Sequence, residues 1–141
     1  MKLLSFVLFS AAIATPALAN DTYNTEVVKN ADHKWMIRHV LASSTQDGTR
    51  ISGRMTATRR FGLPRGHIDV AAYTPSNELI TEATTDYTPA ILTRKKKQKG
   101  GVRFAINLTE TLPSNAVIKV AFHPSEKATS INPSHRSTVA R

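Results

Sequence analysis

The chain of 141 residues contains no cysteine, and that absence excludes both a disulfide framework and the lipid-modified cysteine of a bacterial lipoprotein. Folding therefore rests on the apolar core alone. Long hydrophobic runs are also missing. The longest, Leu3 to Ile13, is about eleven residues against the ~20 that a membrane-spanning helix needs. Aromatic residues make up 6% of the chain, with one tryptophan, so the strands lack the row of rings on which single-strand nucleic-acid binders stack bases. Acids are scarce, 10 against 19 lysines and arginines, for a net charge of +9. Such an excess bears on partners and solubility and says nothing about fold.

What is present begins with a leader. Residues 1–19, MKLLSFVLFSAAIATPALA, carry Lys2, then the apolar run, Pro16 and the small-residue ending Ala17-Leu18-Ala19. That order is the pattern of a secretory signal peptide, with cleavage expected before Asn20. A short leader with one lysine, followed by a chain without cysteine, points to a bacterial protein that is periplasmic or secreted. Residues 20–124 are expected to form a single domain, since a chain of this length supports one core. The stretch 125–141, SEKATSINPSHRSTVAR, has no patterned apolar face and reads as a disordered tail.

Within the domain the hydrophobic period is two. VRFAINL (102–108) sets Val102, Phe104, Ile106 and Leu108 against Arg103, Ala105 and Asn107, the alternation of a half-buried strand. AVIKVAFH (116–123) alternates likewise, and the intervening ETLPSN supplies turn chemistry, so the two read as neighbouring strands. ISGRMTATR (51–59) and HIDVAAY (67–73) pass the same test, and TPSN (74–77) reads as a turn from the latter into ELITEA (78–83). WMIRHVLAS (35–43) alternates less cleanly and leaves strand and short helix both open, although the following Gln46-Asp47-Gly48 favours a strand and a turn. The expected fold is all-β, an antiparallel immunoglobulin-like β-sandwich of about seven strands.

The series "ISGRM", "IDVAAYTPSNELI", "TDY", "GGVRFAINL" and "AVIKVAF", spanning residues 51–122, resembles the small exported bacterial FxLYD-type domains. The resemblance implies an immunoglobulin-type sandwich and brings no catalytic residues. Ala72-Tyr73-Thr74 stands where that family has Leu-Tyr-Asp.

Charge is segregated along the chain. Residues 48–68 hold five arginines and no acid, residues 66–93 hold Asp69, Glu78, Glu82 and Asp86 and no lysine or arginine, and residues 87–109 hold six cations and no acid. Arg94-Lys95-Lys96-Lys97-Gln98-Lys99 precedes Gly100-Gly101 and reads as an exposed, flexible loop tip whose repulsion only solvent or a polyanion relieves. Arg59, Arg60 and Arg65 form a second basic loop, with Phe61 and Leu63 between them. The expected anion-binding set is Arg59, Arg60, Arg65, Arg94, Lys95, Lys96, Lys97, Lys99 and Arg103. The partner it suits is an anionic envelope surface, where each basic residue near an anionic leaflet contributes about 1 kcal/mol, or an acidic protein; nucleic acid fits less well. The plainer reading of the lysine run is a solvated loop. An accessory domain that meets another envelope protein through a sheet face or edge is the alternative.

No nucleophile stands on a strand-to-helix elbow, no glycine loop cradles phosphate ahead of a helix, and Glu78, Glu82 and Asp86 share one acidic stretch. A non-enzymatic protein with no cofactor and no metal is expected. One cluster stands apart: His67 and Asp69, two apart on a strand, share a face, and His123 from another strand completes a metal-ligand set if the two strands meet. The structural alternative is that both histidines are strand-end residues bonded to a neighbouring backbone or carboxylate.

Overall fold

A computed structural model of the chain describes residues 21–28, 35–57, 66–89 and 91–123. The leader, residue 124 with the tail at 125–141, and the basic segment holding Arg59, Arg60 and Arg65 lie outside the described residues.

Alternating side chains become strands throughout. In chain order they are β1 (Asn24–Val27), β2 (Trp35–Thr45), β3 (Gly48–Ala57), β4 (His67–Tyr73), β5 (Leu79–Thr85), β6 (Tyr87–Thr88), the single helical turn α1 (Arg94–Gln98), β7 (Val102–Leu108) and β8 (Val117–His123). Two four-stranded sheets result: sheet I, in the order β2-β3-β7-β6, and sheet II, in the order β1-β8-β4-β5. The all-β sandwich expected from the sequence is the observed fold, with eight strands among the described residues. Its strand order places β1 and β2 in different sheets, and likewise β7 and β8, whereas the constant-type immunoglobulin order keeps each such pair together.

Residues 102–108 and 117–123 are therefore strands but not neighbours, contrary to the hairpin expected from the turn chemistry between them. β7 pairs with β3 and β6, β8 pairs with β4 and β1, and the connection between them crosses from one sheet to the other. Two further crossings close the sides. The segment before β1 bridges to β2 at Thr22 and Ser43, with Tyr23 N–H donating to Ala42 C=O at 3.0 Å, before β1 runs parallel to β8. On the opposite side the chain steps at Asp86 from β5, an edge of sheet II, to β6, an edge of sheet I. Sheet edges are thus partly covered by the chain's own crossings, which limits edge-to-edge association.

The inward rows make one core: Ile51, Met55 and Ala57 of β3, Ile68, Val70 and Ala72 of β4, Val102, Phe104 and Leu108 of β7, and Ile118, Val120 and Phe122 of β8. Burying a side chain of this size contributes roughly 1.5–3 kcal/mol, and without disulfides this burial is the main source of stability. β2 resolves the ambiguity of residues 35–43. Between Arg38 and Leu41 its register slips, and His39 takes a positive φ of 53°. The inward side chains become Trp35, Ile37, Val40 and Ala42, a spacing of two, three, two that a strict period-two reading misses. The hairpin at 74–77 forms as expected: Asn77 N–H donates to Thr74 C=O at 2.9 Å and Asn77 takes φ 65°, a conformation asparagine tolerates well.

Candidate functional site

Outward positions distinguish the two sheets. On sheet I, register places Arg38 of β2 opposite Arg54 of β3, and Arg54 opposite Arg103 of β7, with Thr88 of β6 completing the row. Strands lie ~4.8 Å apart, so three guanidinium stems leave the sheet within about 10 Å. Four residues along β3, Ser43, Arg50 and Asn107 form a parallel row, and between the rows stand Leu41, Ser52 and Ala105. Leu41 is 56% exposed, an apolar side chain set among arginines. The four strands of sheet I contain no acid. Like charges directly opposite on neighbouring strands destabilise a sheet by roughly 0.2–1 kcal/mol per pair, so this row opposes folding unless a counter-charge arrives from outside.

The lysine run extends this face, and its structure differs from expectation. Residues 94–98 are a helical turn with built ends, not a flexible loop tip. Thr93 caps the start, its Oγ1 accepting from Lys96 N–H at 3.3 Å. At the other end Gly100 N–H donates to Lys97 C=O at 3.0 Å and Gly101 N–H to Lys96 C=O at 2.9 Å. Gly100 sits at φ 91°; this pair of bonds with a left-handed residue is the Schellman arrangement that stops helices. Lys95, Lys96 and Lys97 fall in the last turn, where the partial negative charge of the carbonyl end offsets some of their repulsion. The turn is pinned by its flanks. Leu92 is fully buried before it and Val102 nearly so after it, and Arg54 Nη1 donates to Lys99 C=O at 2.7 Å.

Of the residues expected to bind anions, Arg94, Lys95, Lys96, Lys97, Lys99 and Arg103 fall together on α1 and the adjoining start of β7. The residues missed were Arg38, Arg50 and Arg54. Arg54 already stood on the polar side of its strand; what was lacking was the register that sets it between two more arginines. Arg59, Arg60 and Arg65 lie outside the described residues.

Sheet II carries charges of both signs. Its strands carry Glu26, Asp69 and Glu82 against Lys119. Lys119 is in register with Glu26 across the parallel β1–β8 pair, donates to Asn77 Oδ1 at 3.0 Å, and lies 4.7 Å from the centre of the Tyr73 ring. At the start of β4 and the end of β8, His67 and His123 are register partners. Asp69 divides its carboxylate between them, Oδ1 at 3.1 Å from His67 Nε2 and Oδ2 at 3.6 Å from His123 Nδ1. The structure thus shows the strand-end histidines bonded to a carboxylate and also shows the three residues meeting.

Compared with known protein families, curated proteins and solved structures, the chain matches none.

Proposed function

We propose that this chain is a non-catalytic binding module, exported to the periplasm or beyond the bacterial cell, that docks on an anionic envelope surface through the outer face of sheet I and α1. The observation that carries the reading is the register row Arg38-Arg54-Arg103 on a sheet whose strands hold no acid. A row of like charges is retained against its cost in stability where a partner supplies the opposite charge. Exposed Leu41 within the face, and Ile91, 67% exposed just before α1, suit contact with a lipid surface, where apolar insertion and headgroup attraction add. The same face presents no Phe, Tyr or Trp ring among its described positions, which favours headgroups over stacked bases. The resemblance of residues 51–122 to FxLYD-type exported domains, which bring no catalytic residues, belongs to the same reading.

The test is co-sedimentation with anionic and with neutral vesicles at low and at physiological salt. Wild type is expected to bind the anionic vesicles alone, and less tightly as the Debye length shortens to ~8 Å. The triple variant Arg38→Gln, Arg54→Gln, Arg103→Gln removes about 3 kcal/mol of headgroup attraction and should weaken binding roughly a hundredfold. Lys119→Gln, on the other sheet, should leave it unchanged. Equal binding by the triple variant and wild type would remove the proposal.

A second reading has one observation in its favour. β5 is an edge strand of sheet II, and Leu79 and Ile80 are 43% and 36% exposed at its irregular end, a place where another envelope protein could extend or cover the sheet. Such an apolar contact would survive salt.

A further inference from the structure

The opposite face of the sandwich carries a separate chemistry. His67, Asp69 and His123 each direct one ligand atom into a common space, all within 4.8 Å of one another. A four-coordinate Zn²⁺ with bonds of 2.0–2.2 Å holds its ligand atoms roughly 3.3–3.5 Å apart; Asp69 Oδ1 is 3.1 Å from His67 Nε2 and Oδ2 is 3.6 Å from His123 Nδ1, while the full set spreads over 4.8 Å and closes by about an ångström when the ion binds. The imidazoles meet edge to face, 64° apart with centres 5.0 Å apart, so a nitrogen of each reaches the carboxylate without the rings stacking. Both strands are interior to sheet II, which fixes the backbone that carries the ligands better than a loop would. His67 and Asp69 side chains are 5% and 7% exposed, while His123 is 22% exposed and leaves a route from solvent.

We propose that His67, Asp69 and His123 form a binding site for a divalent transition-metal ion of the Zn²⁺ class, with a solvent molecule in the fourth position. Two neutral imidazoles and one carboxylate are a borderline donor set. One carboxylate is too little oxygen for Ca²⁺ or Mg²⁺, and a chain without cysteine offers no thiolate to a softer ion. The close contacts that Asp69 makes with both histidines, 3.1 and 3.6 Å, hold the donors near their ligating positions before the metal arrives. The metal would then tie the first residues of β4 to the last of β8, so binding acts directly on the stability of the sandwich. This site is independent of the cationic face: vesicle binding has no bearing on it.

The test uses the chain purified without a histidine tag and stripped with chelator. Zn²⁺ is expected to bind in one equivalent and, at a free concentration about a hundredfold above Kd, to raise Tm by roughly 10 °C. Ca²⁺ and Mg²⁺ at the same concentration should leave Tm unchanged. His67→Gln and His123→Gln should each weaken Zn²⁺ binding at least tenfold, whereas His39→Asn, an exposed histidine on sheet I, should not. A measurement on the wild type alone stands even if a ligand variant does not fold: of the five histidines, Zn²⁺ should shift the imidazole carbon-proton resonances of His67 and His123. Absence of any Zn²⁺-dependent shift or Tm change, perturbation confined to other histidines, or one-equivalent binding retained by the double variant His67→Gln, His123→Gln would each overturn the proposal.

Discussion

On the outer face of sheet I, Arg38, Arg54 and Arg103 stand abreast on strands that hold no acid; on the outer face of sheet II, Asp69 lies between His67 and His123, and Lys119 sits beside Glu26 and over the Tyr73 ring. The inward rows of the two sheets are alike, mostly aliphatic and aromatic residues in alternation, interrupted by the bulge of β2 and by Gly53. The core therefore does not dictate the outward pattern. Sheet II sets groups of opposite charge beside one another, Asp69 between two histidines and Lys119 in register with Glu26. Sheet I leaves its charges to be met by something other than its own strands and spends structure on holding them in place: a helix cap at Thr93, a Schellman ending at Gly100 and Gly101, and a guanidinium bonded to the end of α1. A surface built only for solubility would intersperse both signs.

The largest way to break this contrast is to unseat α1. A Cβ at Gly101 would fall 2.2 Å from Met55 C=O, on a backbone at φ 108°, so Gly101→Ala must displace the junction of α1 with β3 as well as accept a strained conformation. A loss of about 3 kcal/mol is expected, read as a lower urea midpoint with little change in slope. Gly100→Ala is the sharper control. At φ 91° the added methyl has 3.4 Å to the nearest atom, the Arg54 side chain, so only the left-handed penalty remains, about 1–2 kcal/mol. Equal losses at the two positions would mean that α1 is not pinned to β3 by close backbone approach.

The next effect is smaller and its sign is the informative part. If the arginine row opposes folding, Arg38→Gln combined with Arg103→Gln should stabilise the isolated protein by about 1 kcal/mol at low salt, with the gain fading as salt rises. Lys119→Gln should do the reverse, costing about 0.5–1 kcal/mol through the lost ring contact and the lost bond to Asn77. Both are read from chemical denaturation at two salt concentrations. Destabilisation by the arginine pair would mean that the row is held by attractive contacts and would erase the distinction between the sheets.

Much of the fold was legible because its signal is local. Alternation at 51–57, 67–73, 102–108 and 117–123 reports which side chains share a face, and that same parity put His67 beside Asp69. Pairing is not local. ETLPSN looks like a hairpin turn, yet core packing sends β7 and β8 to different sheets. The bulge at His39 and Val40 blurred the period of residues 35–43, leaving strand and short helix both open until the turn at Gln46-Asp47-Gly48 was weighed, and hid the outward place of Arg38. β1 and β6, at four and two residues, are too short to show a period. The helical turn is a different case, since its signals were present: Thr93 as a cap, Arg, Lys and Gln as good helix formers, and Gly100 as the stop. A reading that weighed only the repulsion among the lysines passed over them. The cationic row itself required register, which no single strand contains.

One tyrosine in each sheet gives the smallest test, at alkaline pH. Tyr73 on sheet II has its pKa raised above the usual 10.0, first by burial and then by the Glu82 carboxylate; Tyr87 on sheet I is raised by burial and then by Asp86. A phenol with a raised folded-state pKa ionises more readily in the unfolded chain. Its contribution to stability is therefore complete below about pH 10 and is lost as pH rises through the folded value. Tm should hold from neutral pH to about 10 and fall above it, with a shallower fall in Tyr73→Phe and in Tyr87→Phe. Tyr73→Phe keeps a ring beneath Lys119, so it removes the phenol's share of the alkaline loss without removing the cation–π contact. Tyr87 packs on Phe122 with ring centres 6.2 Å apart, and Tyr87→Phe should likewise remove its own share of the loss while keeping that ring contact.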